Sequence, residues 1–280
     1  MSSRRRIIEN EDELALLHRS RTQWLENVEG RMVALPTEYP DGYRVPEHAH
    51  SRSQLLYALA GVALIITRHG RWIVPPDHAM WIPAGIAHSV EMLGSVSMRS
   101  VYVEPQAIAG LPQQLKVVAI SELMRSLIVE AVKLPDGAAT NERDALLLGL
   151  LLQEIPGLAE RPLGLPLPNE PRLYALCRQF LAEPSPRASI DEWAAQAGMS
   201  RRTFTRSFQR ETGLPLSTWR QQALLFAAMP RLADGEAITR VALDLGYDSV
   251  PAFTTMFKRM LGAPPRDYLK SAAGRSGFLA

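Results

Sequence analysis

One sequence pattern occurs twice in the last third of this 280-residue chain. Each copy contains seven residues in the same order, with helical spacing on both sides of a glycine. The first copy consists of Ile190, Ala194, Gly198, Phe204, Phe208, Gly213 and Pro215, and the second of Ile238, Ala242, Gly246, Phe253, Phe257, Gly262 and Pro264. The offset is 48 residues up to the first glycine and 49 after it, so the second copy has one extra residue in its turn. The repeat predicts two helix-turn-helix units, at residues 190–210 and 238–259.

The second helix of each unit is predicted to have an apolar and a polar face. Ser200 and Ser249 are suited to begin these helices, and the paired phenylalanines form the inner faces. The outer face of the first helix then holds Arg201, Arg202, Thr205, Arg206 and Gln209, and that of the second holds Val250, Pro251, Thr254, Thr255 and Lys258. Arginines suit the major groove, because they pair with guanine and attract phosphates. Glycines and phenylalanines alone would also fit a helical bundle that binds no DNA, so the prediction of DNA binding rests on the arginines.

The charge of the chain is distributed unevenly. Residues 169–280 hold 15 Lys and Arg against 10 Asp and Glu, whereas residues 1–168 hold 16 against 19. The basic part contains the repeat, as contact with DNA phosphates requires. The one cysteine, Cys177, excludes an intramolecular disulfide and a cysteine metal cluster, and its apolar helical setting predicts a buried residue.

The residue composition and the hydrophobic periodicity change along the chain. Short runs rich in Val, Ile, Tyr and Trp, broken by turn residues, predict β-structure in the N-terminal half. Helical periodicity follows, and because residues 145–152 are apolar on every face, we expect this helix to be covered by its own domain and by a second subunit. A proline-rich stretch then predicts a linker. The predicted regions are an N-terminal arm at 1–30, an effector-binding barrel at 31–110, a helical dimerisation segment at 111–160, a linker at 161–171 and a DNA-binding domain at 172–272.

The C-terminal region, from about Glu170 to Lys270, resembles the tandem helix-turn-helix domain of the AraC/XylS family of bacterial regulators. The resemblance rests on IDEWAAQAGMSRRTFTRSFQRETGLP at residues 190–215 and ITRVALDLGYDSVPAFTTMFKRMLGAPP at residues 238–265. It implies that both second helices enter the major groove, about one helical turn (~34 Å) apart. The base-facing positions would be Arg202, Thr205 and Arg206 in one unit and Val250, Pro251, Thr254 and Thr255 in the other. Thr255 departs from the arginine that the family commonly has there, so we expect base discrimination to rest mainly on the first unit.

A second group of polar residues lies in the β-rich region. His48, His50, Gln54 and His88 stand in the segments PEHAHSRSQ and WIPAGIAH, which resemble the two motifs of the cupin barrel. Cupin motifs place three histidines and a glutamate around a metal, and Gln54 replaces that glutamate here. Two alternatives follow. The three histidines bind a divalent metal such as Zn, Fe or Ni, or they hydrogen-bond within a pocket and contact a small-molecule effector.

Other aromatic and histidine residues of this region have weaker assignments. Tyr57 and Trp81 fit the core by default, but next to three histidines they equally fit the lining of an effector pocket, and we assign them to it with His48, His50, Gln54 and His88. His18, His69 and His78 are predicted as ordinary arm or turn residues. Residues 1–30 as a whole are expected to contribute no chemistry.

The resemblances imply an α+β chain of two domains: an N-terminal cupin-like β-barrel with its helical dimerisation segment, and a C-terminal all-α domain. The predicted function is that of a homodimeric DNA-binding regulator that is not an enzyme. A small-molecule effector in the barrel would change promoter occupancy or contact with RNA polymerase. The layout also resembles a subgroup in which some members control neighbouring efflux or transporter genes. Two rival predictions are a metal-dependent cupin enzyme with an appended DNA-binding domain and an architectural DNA binder with little sequence preference.

The N-terminal sequence lacks the pattern of an export signal. Arg4, Arg5 and Arg6 are followed by Glu9 and Glu11 where a signal peptide would need an apolar run. The longest near-apolar stretch, residues 55–66, has 12 residues. A helix that spans a bilayer needs about 20. We therefore expect a cytoplasmic protein without membrane contact.

Overall fold

The computed structural model describes residues 11–135, 139–184, 189–233 and 235–267. Three predicted features lie outside these residues: the first ten residues of the arm, the last five of the DNA-binding domain at 268–272, and Gly137, which the sequence predicts as a helix end. The chain divides into two compact units. The described residues of the first unit run to Thr67 and from Ile73 to Pro162, and the second contains Arg68–Trp72 and the chain from Leu163 onward.

The N-terminal part of the chain is rich in β-strands. In chain order, its elements are α1 (Glu11–Leu25), β1 (Met32–Tyr39), β2 (Arg44–His48), β3 (Ser53–Thr67), β4 (Gly70–Val74), β5 (His78–Ile82), β6 (His88–Val103), β7 (Lys116–Ala119), α2 (Glu122–Ala131), α3 (Glu142–Glu154) and β8 (Glu160–Arg161). A 3₁₀ turn at Ile155–Gly157 follows α3. The β-rich domain that the sequence predicts is confirmed.

The sheet of the first unit is antiparallel, with the strand order β1-β6-β3-β5-β7-β8, and β2 also pairs with β6. The register of β3 against β6 shifts between Ala58 and Val62. Gly61 has a φ of +75°, and a Cβ at this position would lie 2.3 Å from the Ser95 carbonyl oxygen, so only glycine permits this close approach. The C-terminal end of β6 pairs with β1, and its other end pairs with β2, where His88 lies opposite His48.

Helices α2 and α3 cover one face of the sheet. Both begin where the sequence predicts: Ser121 Oγ accepts a hydrogen bond from the Met124 amide at 3.1 Å, and Asn141 Oδ1 accepts one from the Asp144 amide at 3.0 Å. Their apolar faces join strand residues in one core, which includes Leu55, Tyr57, Trp81, Val101, Met124, Ile128, Leu151 and Leu152. Tyr57 and Trp81 on this face of the sheet are therefore packed in the core with the two helices.

The strands continue beyond the predicted end of the barrel. The sequence predicts helices from residue 111 onward, but β7 at Lys116–Ala119 pairs with β5, and β8 pairs with β7. A strand of four residues is too short to display an alternation of polar and apolar side chains, so its sequence does not reveal it. The structure adds these two strands to the sheet and leaves two helices in the predicted dimerisation segment.

The second unit consists mainly of helices. They are α4 (Pro171–Ala182), α5 (Ile190–Gln196), α6 (Arg201–Thr212), α7 (Leu216–Ala233), α8 (Ile238–Asp244) and α9 (Val250–Leu261). A short strand β9 (Gly164–Pro166), inside the predicted linker, pairs with Gly70–Trp72 of β4. Cys177 is fully buried in α4, as the sequence predicts. Among the described residues, no helix has the length and apolarity that crossing a bilayer requires.

The two repeats fold alike. In both helix-turn-helix units the carbonyl oxygen of the repeated alanine accepts a hydrogen bond from the amide of the residue that follows the glycine. The distance is 2.9 Å for Ala194 and 3.0 Å for Ala242. The first helices begin 48 residues apart and the second helices 49 apart, so the extra residue lies in the turn, as predicted. Aromatic side chains fill the core around the first helix-turn-helix, where Trp193, Phe208 and Trp219 make edge-to-face contacts at centroid distances of 5.9 to 6.3 Å.

Candidate functional sites

Helix α6 presents one polar face. Its N-cap, Ser200, accepts a hydrogen bond from the Thr203 amide at 3.2 Å, and Phe204 and Phe208 are buried on the inner side. The side chains of the opposite side are exposed and line one open groove; they are Arg201, Arg202, Thr205, Arg206 and Gln209. The structure thus brings together the five residues that the sequence assigns to this face.

The arginines of α6 differ in their surroundings. Arg201 lies 3.4 Å from an Asp191 carboxylate oxygen, but both side chains are mostly exposed, and such a pair contributes little to stability. The side chains of Arg202 and Arg206 make neither an ion pair nor a hydrogen bond with any residue that the structure describes. Thr205 donates its hydroxyl to the Arg201 carbonyl at 2.9 Å. Two guanidinium groups therefore project from α6 with all their donors available.

Helix α9 has the same framework but a different surface. Its N-cap, Ser249, accepts from the Ala252 amide at 3.3 Å, and Phe253 and Phe257 are buried as in α6. Of the five predicted outer residues, Pro251, Thr255 and Lys258 are exposed, while Val250 and Thr254 are half-buried. Lys258 is the one charged residue of this set. The outer face of α9 is therefore less basic than that of α6.

A small cavity lies in the first unit, where α1 crosses the sheet. Its volume is about 20 Å³, which is room for one water-sized occupant. His48 ends β2, His88 begins β6 opposite it, His50 follows β2, and Gln54 lies near the start of β3. All four line the cavity. One ring nitrogen from each of the three histidines lies within 4.8 Å of the others, so the structure brings the predicted histidines together.

Backbone carbonyls fix the orientation of all three rings. The contacts are His48 Nδ1 to the Pro46 oxygen at 2.9 Å, His50 Nδ1 to the Arg52 oxygen at 2.5 Å, and His88 Nδ1 to the Ile86 oxygen at 2.9 Å. Because a carbonyl only accepts, each Nδ1 carries a proton, and the Nε2 of His48 and of His88 keeps a lone pair when the ring is neutral. Histidines that bind metals in proteins are commonly oriented in this way.

Burial favours the neutral forms of His48 and His88. It lowers the pKa of His88 to about 3 and also lowers the pKa of His48, since charging a ring away from water is unfavourable. His88 Nε2 is buried and has no hydrogen-bond partner among the described residues. Neutral rings with lone pairs can bind a cation or a hydrogen-bond donor, while the Arg21 guanidinium, which also lines the cavity, brings a positive charge to it.

Gln54 contacts the His50 ring and two hydroxyl groups. Its Oε1 lies 3.1 Å from His50 Nε2, and its Nε2 donates to Ser100 Oγ at 2.9 Å and to Tyr102 Oη at 3.3 Å. Turned by 180°, the amide donates to His50 Nε2 while its oxygen accepts from both hydroxyls. The turned amide matches a ring whose Nδ1 donates to the Arg52 carbonyl, whereas the carboxylate of a glutamate could only accept. A metal bound at His50 Nε2 would replace the contact with Gln54.

Tyr57 and Trp81 do not line this cavity. Successive residues of a strand point to opposite faces, and Gln54 and Leu56 face the cavity while Tyr57 faces the helices. Trp81 lies on the same side as Tyr57 and donates its Nε1 hydrogen to the Pro112 carbonyl at 2.7 Å. Both rings belong to the core under α2 and α3, which agrees with the default assignment rather than with the effector-pocket assignment.

Known proteins resemble this chain in both its N-terminal and its C-terminal domain. The profile of the AraC-like ligand binding domain matches residues 32–156, and that of a helix-turn-helix domain matches residues 193–271. The HTH-type transcriptional regulator NimR of Escherichia coli (strain K12) is 33% identical over 224 residues, which cover 80% of this chain and 82% of NimR. This chain belongs to the AraC family of transcriptional regulators.

Other known proteins resemble smaller parts of the chain or resemble it more distantly. The regulatory protein SoxS of Escherichia coli (strain K12) is 35% identical over 81 residues, which are 29% of this chain and 76% of SoxS. The crystal structure of unsaturated fatty acid bound ToxT from Vibrio cholerae covers 88% of this chain and 97% of its own, at 11% identity and a TM-score of 0.38. As an AraC-family member, this chain is a DNA-binding transcriptional regulator with a ligand-binding domain.

The ligand-binding domain of this AraC-family chain includes a helix whose role the sequence analysis missed. His18 is not an ordinary arm residue, because its ring lies edge-on to His48 at a centroid distance of 4.3 Å and lines the cavity with Arg21. Leu14, His18, Arg21 and Leu25 recur at intervals of three and four residues, which is the spacing of one helix face. That spacing could have revealed a buried face, but not what it covers. His69 and His78 lie outside the cavity lining, as expected.

Proposed function

We propose that this chain is a homodimeric, ligand-responsive regulator that reads DNA mainly through the outer face of α6. The observation that carries the proposal is the groove formed by Arg201, Arg202, Thr205, Arg206 and Gln209, whose side chains are exposed on one helix face. Within it, we assign base contacts to Arg202, Thr205 and Arg206 and phosphate contacts to Arg201 and Gln209. This function places the protein in the cytoplasm of a bacterial cell, where the chromosome lies.

Helix α9 has a supporting role in this proposal. Val250, Pro251, Thr254 and Thr255 offer apolar contacts to thymine methyl groups, and Lys258 offers a phosphate contact. Because methyl contacts discriminate less than paired arginine hydrogen bonds, we expect the half-site segment under α9 to tolerate more sequence variation. An in vitro selection of DNA from a random library by the full chain tests the proposal. Two conserved segments of unequal information, about one helical turn apart, are the expected result, and an architectural binder would select no consensus.

The target genes follow from a genome-wide footprint of the protein. We propose that they include a neighbouring transporter or efflux gene, on the basis of the sequence subgroup described above. Transcription in vitro with purified RNA polymerase then separates two routes of regulation. A regulator that only occupies the promoter changes transcription in proportion to its binding, whereas one that also contacts the polymerase stimulates a promoter without blocking it.

The helices α2 and α3 are the proposed dimer interface. Leu123 of α2 is 49% exposed, and Leu146 and Leu150 of α3 are 68% and 45% exposed. Leu146 and Leu150 are one helical turn apart and so share a face, and the opposite side of α3 packs against its own domain through Leu151 and Leu152. Large apolar residues at such a face favour a second copy of the same helix pair as the partner, since a two-fold interface pairs a surface with itself.

Leu146→Glu is expected to raise the dissociation constant of the dimer at least about tenfold, because each leucine contributes roughly 1.5–3 kcal/mol when buried and a symmetric interface contains it twice. Sedimentation equilibrium of the full chain measures the effect. Leu243→Glu is the matched control, because Leu243 is 55% exposed and belongs to α8, which is not one of the two helices of the proposed interface. An equal shift in both variants, or none in Leu146→Glu, would contradict the proposed interface.

We further propose that the ligand is a divalent first-row transition-metal ion bound by His48, His50 and His88. The residues fit such an ion: three imidazoles line a cavity of about 20 Å³, and one ring nitrogen of each lies within 4.8 Å of the others. Organic effectors and substrates occupy about 300–1,000 Å³. The ion would supply a positive charge that binds β2, the loop after it and β6 together. The same size argument, together with the regulators named above as relatives, supports a regulator rather than an enzyme.

A metal titration of the full chain tests this assignment. After treatment with a chelator, the protein is titrated with Zn²⁺, Ni²⁺ or Co²⁺, and binding, melting temperature and affinity for the selected DNA are measured. One ion per chain, a stabilisation of about 2.7 kcal/mol at 100 times the dissociation constant, and a changed DNA affinity are expected. Failure to bind any of the ions at micromolar concentration would leave the cavity to a small hydrogen-bond donor instead.

A further inference from the structure

Helix α1 forms one wall of the histidine cavity. Leu14 and Leu25 are buried at 1% and 2% exposure, and His18, Arg21 and Thr22 on the same face line the cavity. Leu16, on another side of the helix, is 61% exposed. The helix is therefore attached to the sheet by two leucines, and the polar residues between them face the three histidines.

The ring of His18 is close to the predicted metal ligands and lacks a partner of its own. It lies 4.3 Å from the His48 ring, centroid to centroid, at an interplanar angle of 84°. Its Nε2 is buried and makes no hydrogen bond with a described residue, as is also the case for His88 Nε2. A buried nitrogen without a hydrogen-bond partner is unfavourable, because it has lost its contacts with water. Two such atoms around one small cavity point to a ligand that satisfies both.

His18 brings a fourth imidazole to the cavity wall, beside the Arg21 guanidinium. Gln54, which stands where a cupin has its anionic fourth ligand, is engaged with His50, Ser100 and Tyr102.

We propose that His18 is the fourth protein ligand of a divalent transition-metal ion bound by His48, His50 and His88, so that metal binding fastens α1 to the sheet. This inference rests on the proposed three-histidine site. It differs from it in assigning a ligand to the N-terminal helix, and it makes α1 the element whose mobility reports the metal.

Arg52 connects the C-terminal end of α1 to His50 of the cavity. Its backbone carbonyl accepts from His50 Nδ1, and its guanidinium donates to the carbonyls of Leu25, Val28 and Gly30 at 3.3, 2.6 and 2.8 Å. The side chain of Arg52 is nearly buried, so these charge-assisted bonds are shielded from water. The C-terminal end of α1 is therefore held without a ligand, and His18, near the middle, is the point at which a metal would add a new attachment.

The test compares wild type, His18→Ala and the control Gln23→Ala, all as the full chain. Gln23 is an exposed residue of the same helix. Co²⁺ is the probe, because its visible absorption bands report the number and geometry of its ligands. His18→Ala is expected to weaken Co²⁺ binding at least about tenfold, since even an outer partner of a ligand commonly costs ~10–100-fold, and to change the band intensities. Circular dichroism of the metal-free variants confirms that each one folds.

Amide hydrogen exchange of α1 gives the second readout. Co²⁺ is expected to slow exchange of the α1 amides in wild type and Gln23→Ala, and to leave it unchanged in His18→Ala. Equal affinity, spectrum and exchange in His18→Ala and wild type would overturn the role of His18 while the three-histidine site stands. Absence of Co²⁺ binding to wild type would instead overturn the site itself and this inference with it.

Discussion

Arg206→Ala is expected to weaken binding of the full chain to its selected DNA by about 10- to 100-fold per half-site, because a paired arginine–guanine contact contributes roughly 1–3 kcal/mol of discrimination. The Arg206 guanidinium is exposed and unpaired within the described part of the chain, so its loss leaves the fold of α6 unchanged. In a dimer the contact is lost from both half-sites. Fluorescence anisotropy on the selected site and on a site with scrambled half-sites measures both affinity and the specificity ratio.

Two further variants distinguish base-specific contacts from a general effect of positive charge on DNA affinity. Arg178→Ala removes an exposed arginine of α4, away from the proposed reading face, and is expected to change affinity slightly and equally on both DNA sites. Thr255→Ala removes the corresponding outer residue of α9 and is expected to lower the specificity ratio less than Arg206→Ala. If Thr255→Ala lowered that ratio as much or more, α9 would be an equal or leading reader, contrary to the proposal.

His88→Ala is expected to weaken metal binding by more than about 100-fold, because it removes a ligand, and loss of even an outer partner costs ~10–100-fold. His88 is fully buried, and its Nδ1 is held by the Ile86 carbonyl, so Nε2 is the ring nitrogen that is left for the ion. Isothermal titration of the chelator-treated full chain with Zn²⁺ measures the change. The variant should also lose the stabilisation that the ion gives to wild type.

His78→Ala is the control for this experiment. His78 resembles His88 in that its Nδ1 contacts a backbone carbonyl, that of Pro76 at 3.0 Å, and burial lowers its pKa as well, but it lies outside the cavity. Its replacement is expected to leave the Zn²⁺ affinity unchanged. Equal affinities of wild type and His88→Ala would show that the ion binds elsewhere and would contradict the three-histidine site.

The DNA-binding domain could be predicted almost completely from the sequence. Its helices are amphipathic, and its caps and turns are made by residues close to them in the chain, such as Ser200 with Thr203 and Gly198 with Ala195. Local rules of this kind can be applied without coordinates. The outward position of Arg202 and Arg206 follows from the inward position of Phe204 and Phe208 on the same helix, and the structure places them so.

The histidine cavity could be predicted only in part. His48, His50 and His88 carry a recognisable motif, and the cross-strand pairing of β2 with β6 brings them together as that motif implies. Tyr57 and Trp81 were assigned to the same pocket because they are near in sequence, but alternation along the strands directs them to the opposite face. The side of the sheet on which a residue lies depends on register, which a mostly apolar strand such as β3 does not display.

The sequence by itself determined the two helix-turn-helix units, their unequal outer faces, the three histidines and the family resemblance, because each depends on spacing along the chain. Tertiary structure alone decided that α1 lies across the sheet, that His18 joins His48, and that the carbonyls of Pro46, Arg52 and Ile86 orient the histidine rings. These contacts join parts of the chain that are far apart or depend on loop conformation. No local pattern encodes such contacts, because they are selected by the packing of the whole domain.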